Sequence, residues 1–176
     1  MNFSITVDGQ QKFSQAIGRL EGLVTDWRKV WPLCAEIFYR IEVDQFASEG
    51  SRGPAGKWAP LSQGYAKWKR VNYGELPTLY LTGALKNSLT GTGPGAIRIE
   101  TESSLTLGTS VNRKGFSYPR ALQQGTPKMP ARPPIDIGPN DYGKFVSRVF
   151  RFFNDNVAAT GFTPSKSAGA TKIQGS

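Results

Sequence analysis

The side chains of this chain that could do chemistry are carboxylates, one thiol and a glycine-rich turn, because its 176 residues include no histidine. That absence removes the commonest general base, the commonest zinc ligand and every Ser-His or Cys-His nucleophile arrangement. Carboxylate-only or lysine-based chemistry stays open, so the carboxylates come first. Glu42, Asp44 and Glu49 are close in sequence, but spacings of two and five residues do not share a helix face, and they read as a solvated acidic edge. Asp136 and Asp141 have no visible base, nucleophile or metal partner; Asp141 reads as a favourable charge at a helix N-terminus. Gly91-Thr-Gly-Pro-Gly95 looks superficially like a phosphate loop, but no Gly-Lys-Ser/Thr follows and the glycines lead into a strand, so it reads as a turn. Cys34 is the single cysteine; it lies in an apolar helical pattern and reads as a buried structural thiol. No catalytic, cofactor-binding or metal-binding set can be assembled, and the expectation is a protein that binds without chemistry.

The charge points to an acidic partner. Residues 1–50 carry five basic and seven acidic side chains, whereas residues 51–176 carry seventeen basic and six acidic. Between Ser103 and Ile135 lie Arg113, Lys114, Arg120, Lys128 and Arg132 with no acidic residue among them. Such a bias suits nucleic acid or an acidic protein surface. At 19.2 kDa the chain is the size of one domain with a core of its own. Its start, Met1-Asn2-Phe3-Ser4, shows no basic region followed by an apolar run, and no stretch approaches the ~20 apolar residues of a membrane span. The expectation is a soluble protein made in a cytoplasm, with no membrane partner.

The elements that would position these residues follow from periodicity. Phe3, Ile5 and Val7 alternate as a short strand, and Asp8 with Gln11 forms a capping box. Phe13, Ile17, Leu20, Val24, Trp27 and Trp31 recur at helical spacing; Pro32 either starts a second helix at its first turn or kinks one long helix, and the pattern continues through Leu33, Ile37, Phe38, Ile41 and Gln45 to about Phe46. This stripe reads as core, with Trp27 and Trp31 the residues most suited to a neighbouring subunit. The loop Glu49–Ala59 holds three glycines and a proline and cannot form regular structure. Ser62 caps a short helix with Tyr65, Ala66 and Trp68 on one side and Lys67, Lys69 and Arg70 towards solvent. Thr82 caps a brief helix over Gly83–Leu89, and a hairpin follows, with Ile97 and Ile99 on one strand and Leu105 and Leu107 on the other. Tyr118–Gln124 reads as a short helix closed by Gly125, and Pro130–Ile137 as an extended edge strand. Pro139 opens a last helix, with Tyr142, Phe145, Val146, Val149, Phe152 and Phe153 on one face and Lys144, Arg148 and Arg151 on the other. The fold class is therefore α+β: a long N-terminal helical arm, a small mainly antiparallel sheet, short helices and a C-terminal amphipathic helix. Residues 1–157 form the domain and residues 158–176 a polar tail, ordered only by partner contacts.

Four pieces carry a family resemblance: Phe46-Ala-Ser-Glu-Gly-Ser-Arg-Gly-Pro-Ala-Gly-Lys-Trp-Ala-Pro-Leu-Ser62, Leu81-Thr-Gly-Ala-Leu-Lys-Asn-Ser-Leu89, Tyr118-Pro-Arg-Ala-Leu-Gln-Gln-Gly125 and Met129-Pro-Ala-Arg-Pro-Pro134. In this order they resemble the virion morphogenesis family of Mu-like phages and prophages, the tail-completion or neck proteins. The family pattern differs at Pro119 and Leu122, where it carries alanine and histidine, and at Pro134, where an aromatic often stands. The resemblance implies a structural virion protein that completes the tail end and joins head to tail, assembled in the bacterial host cytoplasm. It implies a ring, because such parts sit on the axis of a tube, with six copies expected and twelve the alternative. The implied partners are the portal or connector, the tail-tube or tail-terminator proteins and, transiently, packaged DNA. Ser51, Arg52, Lys57, Arg113, Lys114, Arg120, Lys128, Thr163, Lys166 and Lys172 are the expected interface residues. Trp58, Arg132, Pro130 and Gly83 are the expected structural anchors, with Trp58 docking on its own core. The competing reading is a basic nucleic-acid-binding module, against which the aromatics fall at core-like positions away from the basic cluster.

Overall fold

A computed structural model describes residues 15, 17–19, 21, 22 and 25–159. The strand expected over residues 3–7, the Asp8–Gln11 capping box and the tail beyond residue 159 lie outside the described residues. The first described residues are helical and end at Thr25. The helical arm is not continuous. Asp26 accepts from the Arg28 amide through Oδ1, a local side-chain bond that competes with helix, and residues 26–30 turn before α1, Trp31–Ala47, begins. Pro32 occupies the first turn of α1, where a missing amide hydrogen costs nothing.

α2 spans Gln63–Tyr73 and is capped by Ser62, whose hydroxyl accepts from the Tyr65 amide. α3, Ala84–Leu89, starts from Gly83 rather than from Thr82: Gly83 takes the left-handed conformation at φ 79°, while Thr82 contributes only a long bond to the Ala84 amide. β1, Ala96–Glu100, and β2, Leu105–Thr109, pair antiparallel with Ile97 opposite Gly108 and Ile99 opposite Thr106. α4 is Tyr118–Gln124, closed by Gly125 at φ 74°. α5 is Pro139–Ala159, so the last helix runs two residues into the segment expected as tail. The chain is thus α+β, with a sheet of two strands among the described residues.

The layers stack in a simple order. α3 packs against both the hairpin and α1, and α5 packs against α1. Leu85 and Leu89 of α3 meet Phe46 of α1 and Trp58 of the following loop, and Tyr118, Leu122 and Ile135 close around them. Trp27 and Trp31 serve the chain's own fold rather than an outer face. They stack at 5.8 Å, Trp27 meets Phe153 edge-on at 5.1 Å, and the Trp31 indole N–H donates to the Thr101 carbonyl at 2.7 Å.

The extended edge strand expected over residues 130–137 does not form a ladder. Pro130, Pro133 and Pro134 supply no amide hydrogens, the Arg132 amide donates to the Leu122 carbonyl, and side chains take other backbone groups of the segment. The Pro133 carbonyl accepts from Trp58 and Gln45, and the Gln123 amide pairs with both the N–H and the C=O of Ile135.

Candidate functional site

The most heavily built region of the molecule is the glycine-rich loop between α1 and α2, held at both ends by buried polar side chains. At its far end Trp58 is 4% exposed, lies edge-on to Phe46 at 5.4 Å and donates its indole N–H to the Pro133 carbonyl at 2.9 Å. Gly50 passes directly beneath the Trp58 ring at φ 89°, where a Cβ would collide with the indole. Arg132 reaches across from the proline segment. Its Nε donates to the Ala59 carbonyl at 2.6 Å and its Nη2 to the Pro60 carbonyl at 2.7 Å, so one planar fork fixes two consecutive peptide groups. Burial pulls the Arg132 pKa down, and a guanidinium still stays charged in this setting. Arg132→Lys puts a single point donor where the fork was and leaves a buried carbonyl under-satisfied. We expect it to lower unfolding free energy by about 1–3 kcal/mol in urea titration.

The near end of the loop is held by charge. Arg52 donates to Asp141 Oδ1 at 2.6 Å, in a pair whose side chains are 18% and 6% exposed. Asp141 also accepts from the Gly138 amide and from Lys144. Burial works to raise the Asp141 pKa, but the bonds from Arg52, Lys144 and Gly138 outweigh it and leave the carboxyl below its ordinary range. Asp136 Oδ2 accepts from the Ala55 amide at 2.8 Å, and a Cβ on Gly53 would strike that carboxylate. The loop is therefore fastened to the start of α5 and to the segment preceding it.

Beneath the loop, on α1, lies Glu42, which is 0% exposed, and neither of its oxygens has a hydrogen-bond partner. Gln45 Oε1 and Arg52 Nη1 are also buried without partners. Burial raises the Glu42 pKa to about 8; the Arg52 charge works against that rise and the Asp136 charge adds to it. Glu42 thus carries its proton at neutral pH. This corrects the reading of Glu42, Asp44 and Glu49 as a solvated edge: Asp44 alone is exposed, and Glu49 accepts from the Thr78 hydroxyl. The signal was present in the α1 pattern, because Glu42 follows Phe38 by four residues and precedes Gln45 and Phe46 on the same buried face.

The expected interface residues divide. Ser51, Lys57, Arg113, Lys114, Arg120 and Lys128 are exposed, and none of these five cations is in an ion pair among the described residues. Arg52 is a correction: the buried Asp141 carboxylate recruits it inward, so it clamps the loop instead of facing a partner. Thr163, Lys166 and Lys172 lie outside the described residues. Of the expected anchors, Trp58, Arg132 and Gly83 are buried, whereas Pro130 is exposed and the buried proline of that segment is Pro134.

α2 departs from expectation at Lys69, while Lys67 and Arg70 are exposed as expected. Lys69 is buried and donates to the Pro77 carbonyl, and burial lowers its pKa while the Glu49 charge works the other way. Tyr65 and Trp68 face outward, stacked at 5.4 Å, with Tyr73 against Trp68 at 5.5 Å.

Among the described residues no group of three or more Asp, Glu or Cys is placed to hold a metal ion, and no helix is long and apolar enough to cross a membrane. No family model, no curated protein and no solved structure matches this chain.

Proposed function

We propose that this chain is a structural virion protein of the phage neck, which completes the tail end and joins head to tail as an oligomeric ring of six copies, with twelve the alternative. The observation that carries the reading is where the four resembling pieces meet. Phe46 and Trp58 from the first, Leu85 and Leu89 from the second and Tyr118 and Leu122 from the third pack in one cluster, and Arg132 from the fourth ties it to the loop. Leu122 aside, where the family pattern carries histidine, these residues of the four pieces act as packing and tethering groups, as suits a part that works by shape. Ile99, Phe116, Tyr142, Val146 and Phe150 are large apolar side chains left exposed, which suits a chain whose surface is covered by neighbours.

In this reading the portal or connector lies on one side and the tail-tube or tail-terminator protein on the other. The unpaired cations of residues 113–128 and Lys57 meet acidic protein surfaces or, transiently, the phosphates of packaged DNA. Those same cations favour the second reading, a basic nucleic-acid-binding module, which requires affinity for DNA to fall by orders of magnitude between roughly 50 and 200 mM salt. Quantitative mass spectrometry of purified infectious particles tests the neck reading. Six or twelve copies per particle is the expected result, and absence of the chain from washed particles overturns it.

A further inference from the structure

The hairpin keeps one edge open to a further strand. The Ser110 amide donates to the Gly95 carbonyl and the Thr101 amide to that of Ser104, so the hydrogen-bonded pairs of the ladder fall at Ile97–Gly108 and Ile99–Thr106. Arg98 and Glu100 on β1, and Leu105, Leu107 and Thr109 on β2, therefore turn their N–H and C=O groups away from the partner strand. The backbone groups of Leu105 and Leu107 make no hydrogen bond among the described residues.

The two edges differ in chemistry. β1 carries Arg98 and Glu100, paired with each other at 2.6 Å, and charged side chains of this kind guard an edge strand against recruiting a neighbour. β2, Leu105-Thr-Leu-Gly-Thr109, carries no charge. Leu105, Leu107 and Thr109 share one face. The Thr109 and Ser88 hydroxyls are hydrogen-bonded at 2.7 Å, so this face lies under α3. Both leucines are nevertheless only half-buried. An uncharged strand with half-covered leucines and free outer backbone groups has the character of an interior strand, and a sheet gains stability from a third member.

A segment of the same chain fits this edge. Phe3, Ile5 and Val7 alternate with Ser4 and Thr6 in residue types that favour strands. At about 3.4 Å per residue these five match the length of β2. Phe3, Ile5 and Val7 would extend the leucine row under α3, and Ser4 and Thr6 would join the face of Thr106 and Gly108. The point of attachment also fits. The first described helical residues end at Thr25, and the Trp27 amide donates to the Glu102 carbonyl in the hairpin turn at 2.9 Å. Residues 3–7 are thus tethered to the hairpin at an effective concentration on the order of millimolar, which favours them over a second copy.

We infer that residues 3–7 add to the free edge of β2 as a third strand, with Ile5 beside Leu107. Main-chain hydrogen bonds hold the strand, and its alternating side chains select it. The addition covers Leu105 and Leu107 and closes the edge through which hairpins of different copies could pair. It goes beyond the neck reading and does not depend on it.

Amide hydrogen exchange on the full chain, followed residue by residue by NMR, tests the added strand. The Leu105 and Leu107 amides should exchange at least about tenfold more slowly than unpaired amides. Ile5→Asp sets a carboxylate among the leucines and should bring both to the unpaired rate, whereas Ile5→Val should not. Removal of residues 2–8 should reproduce the aspartate result. The amide of Leu89, which is 0% exposed in α3, should keep its protection throughout and so report an intact core. Unpaired rates in the wild type overturn the inference, and so does protection that survives both Ile5→Asp and the truncation. Protection that falls on dilution of the wild type comes from the segment of another copy and overturns the assignment to the same chain. None of these rates depends on particle composition, so the neck reading stands or falls separately.

Discussion

Trp58→Ala will lower the unfolding free energy by about 3–5 kcal/mol, the cost of emptying a large aromatic site. Three losses combine. The indole is 4% exposed and its ring is the partner of Phe46, so its removal leaves a cavity beside Leu85 and Leu89. The Pro133 carbonyl keeps only the longer bond from Gln45, at 3.3 Å in place of 2.9 Å. The backbone at Gly50, which lies against the ring, loses its support. Urea unfolding followed by circular dichroism measures the sum, and Trp58→Phe separates the contributions: it keeps most of the apolar volume and should lose about 1–2 kcal/mol for the missing donor. A loss below about 1 kcal/mol for the alanine variant would contradict the anchoring of the loop by this indole. In an assembly assay the same variant should fail before the fold does, since loop and helix positions depend on this contact.

Glu42→Gln should change the pH dependence of stability rather than its maximum. The folded protein holds the Glu42 proton up to about pH 8, whereas the ordinary value for the unfolded chain is 4.5. A raised folded pKa means that the native state binds more protons between these values, so unfolding free energy falls as pH rises through that window. The stabilisation is full below about pH 4.5, declines from there to about 8 and is flat above. Each pH unit crossed inside the window removes about 1.4 kcal/mol at most, so the decline amounts to a few kcal/mol. Glutamine is neutral at every pH and removes the slope. The variant should match wild type near pH 5 and exceed it by about 2–4 kcal/mol at pH 9. Parallel stability curves for the two proteins from pH 5 to 9 would place the carboxyl in solvent and contradict its burial. Asp141 works in the opposite sense: its lowered pKa supplies stability at neutral pH that is lost on acidification below the ordinary carboxylate range, so the wild-type optimum falls on the acid side of neutrality.

Much of the fold was legible because its punctuation is local. Pro32 at a helix start, Ser62 as a cap, Gly125 closing a helix and the alternating Ile97/Ile99 and Leu105/Leu107 runs each act over a few residues, and each falls at an element boundary or in the hairpin, whereas the boundary set by Gly83 was read one residue early, at Thr82. Trp58 and Arg132 were legible for a related reason. An indole in a glycine-rich loop and a guanidinium between prolines must find fixed partners, and those partners are backbone carbonyls 75 residues away for Trp58 and 73 and 72 for Arg132.

What was not legible is polar burial. Glu42 and Lys69 are residue types that default to the surface, and only tertiary context explains their positions. Glu42 shares the apolar face of α1, and the long stem of Lys69 carries its ammonium to Pro77 while α2 turns its aromatics outward. The proline segment misled in the same way, since side chains from α1, α4 and the loop took the backbone groups that a neighbouring strand would have used. Helical periodicity marks a face that will be covered, but it does not say whether the same chain covers it.

The central claim, a neck protein that joins head to tail, is tested most directly by deleting the gene and viewing the resulting phage lysate by negative-stain electron microscopy. Full heads beside finished, unattached tails are the predicted result, and tails of uncontrolled length would move the role to tail termination. Normal, infectious particles would contradict the claim and leave nucleic-acid binding as the reading to pursue.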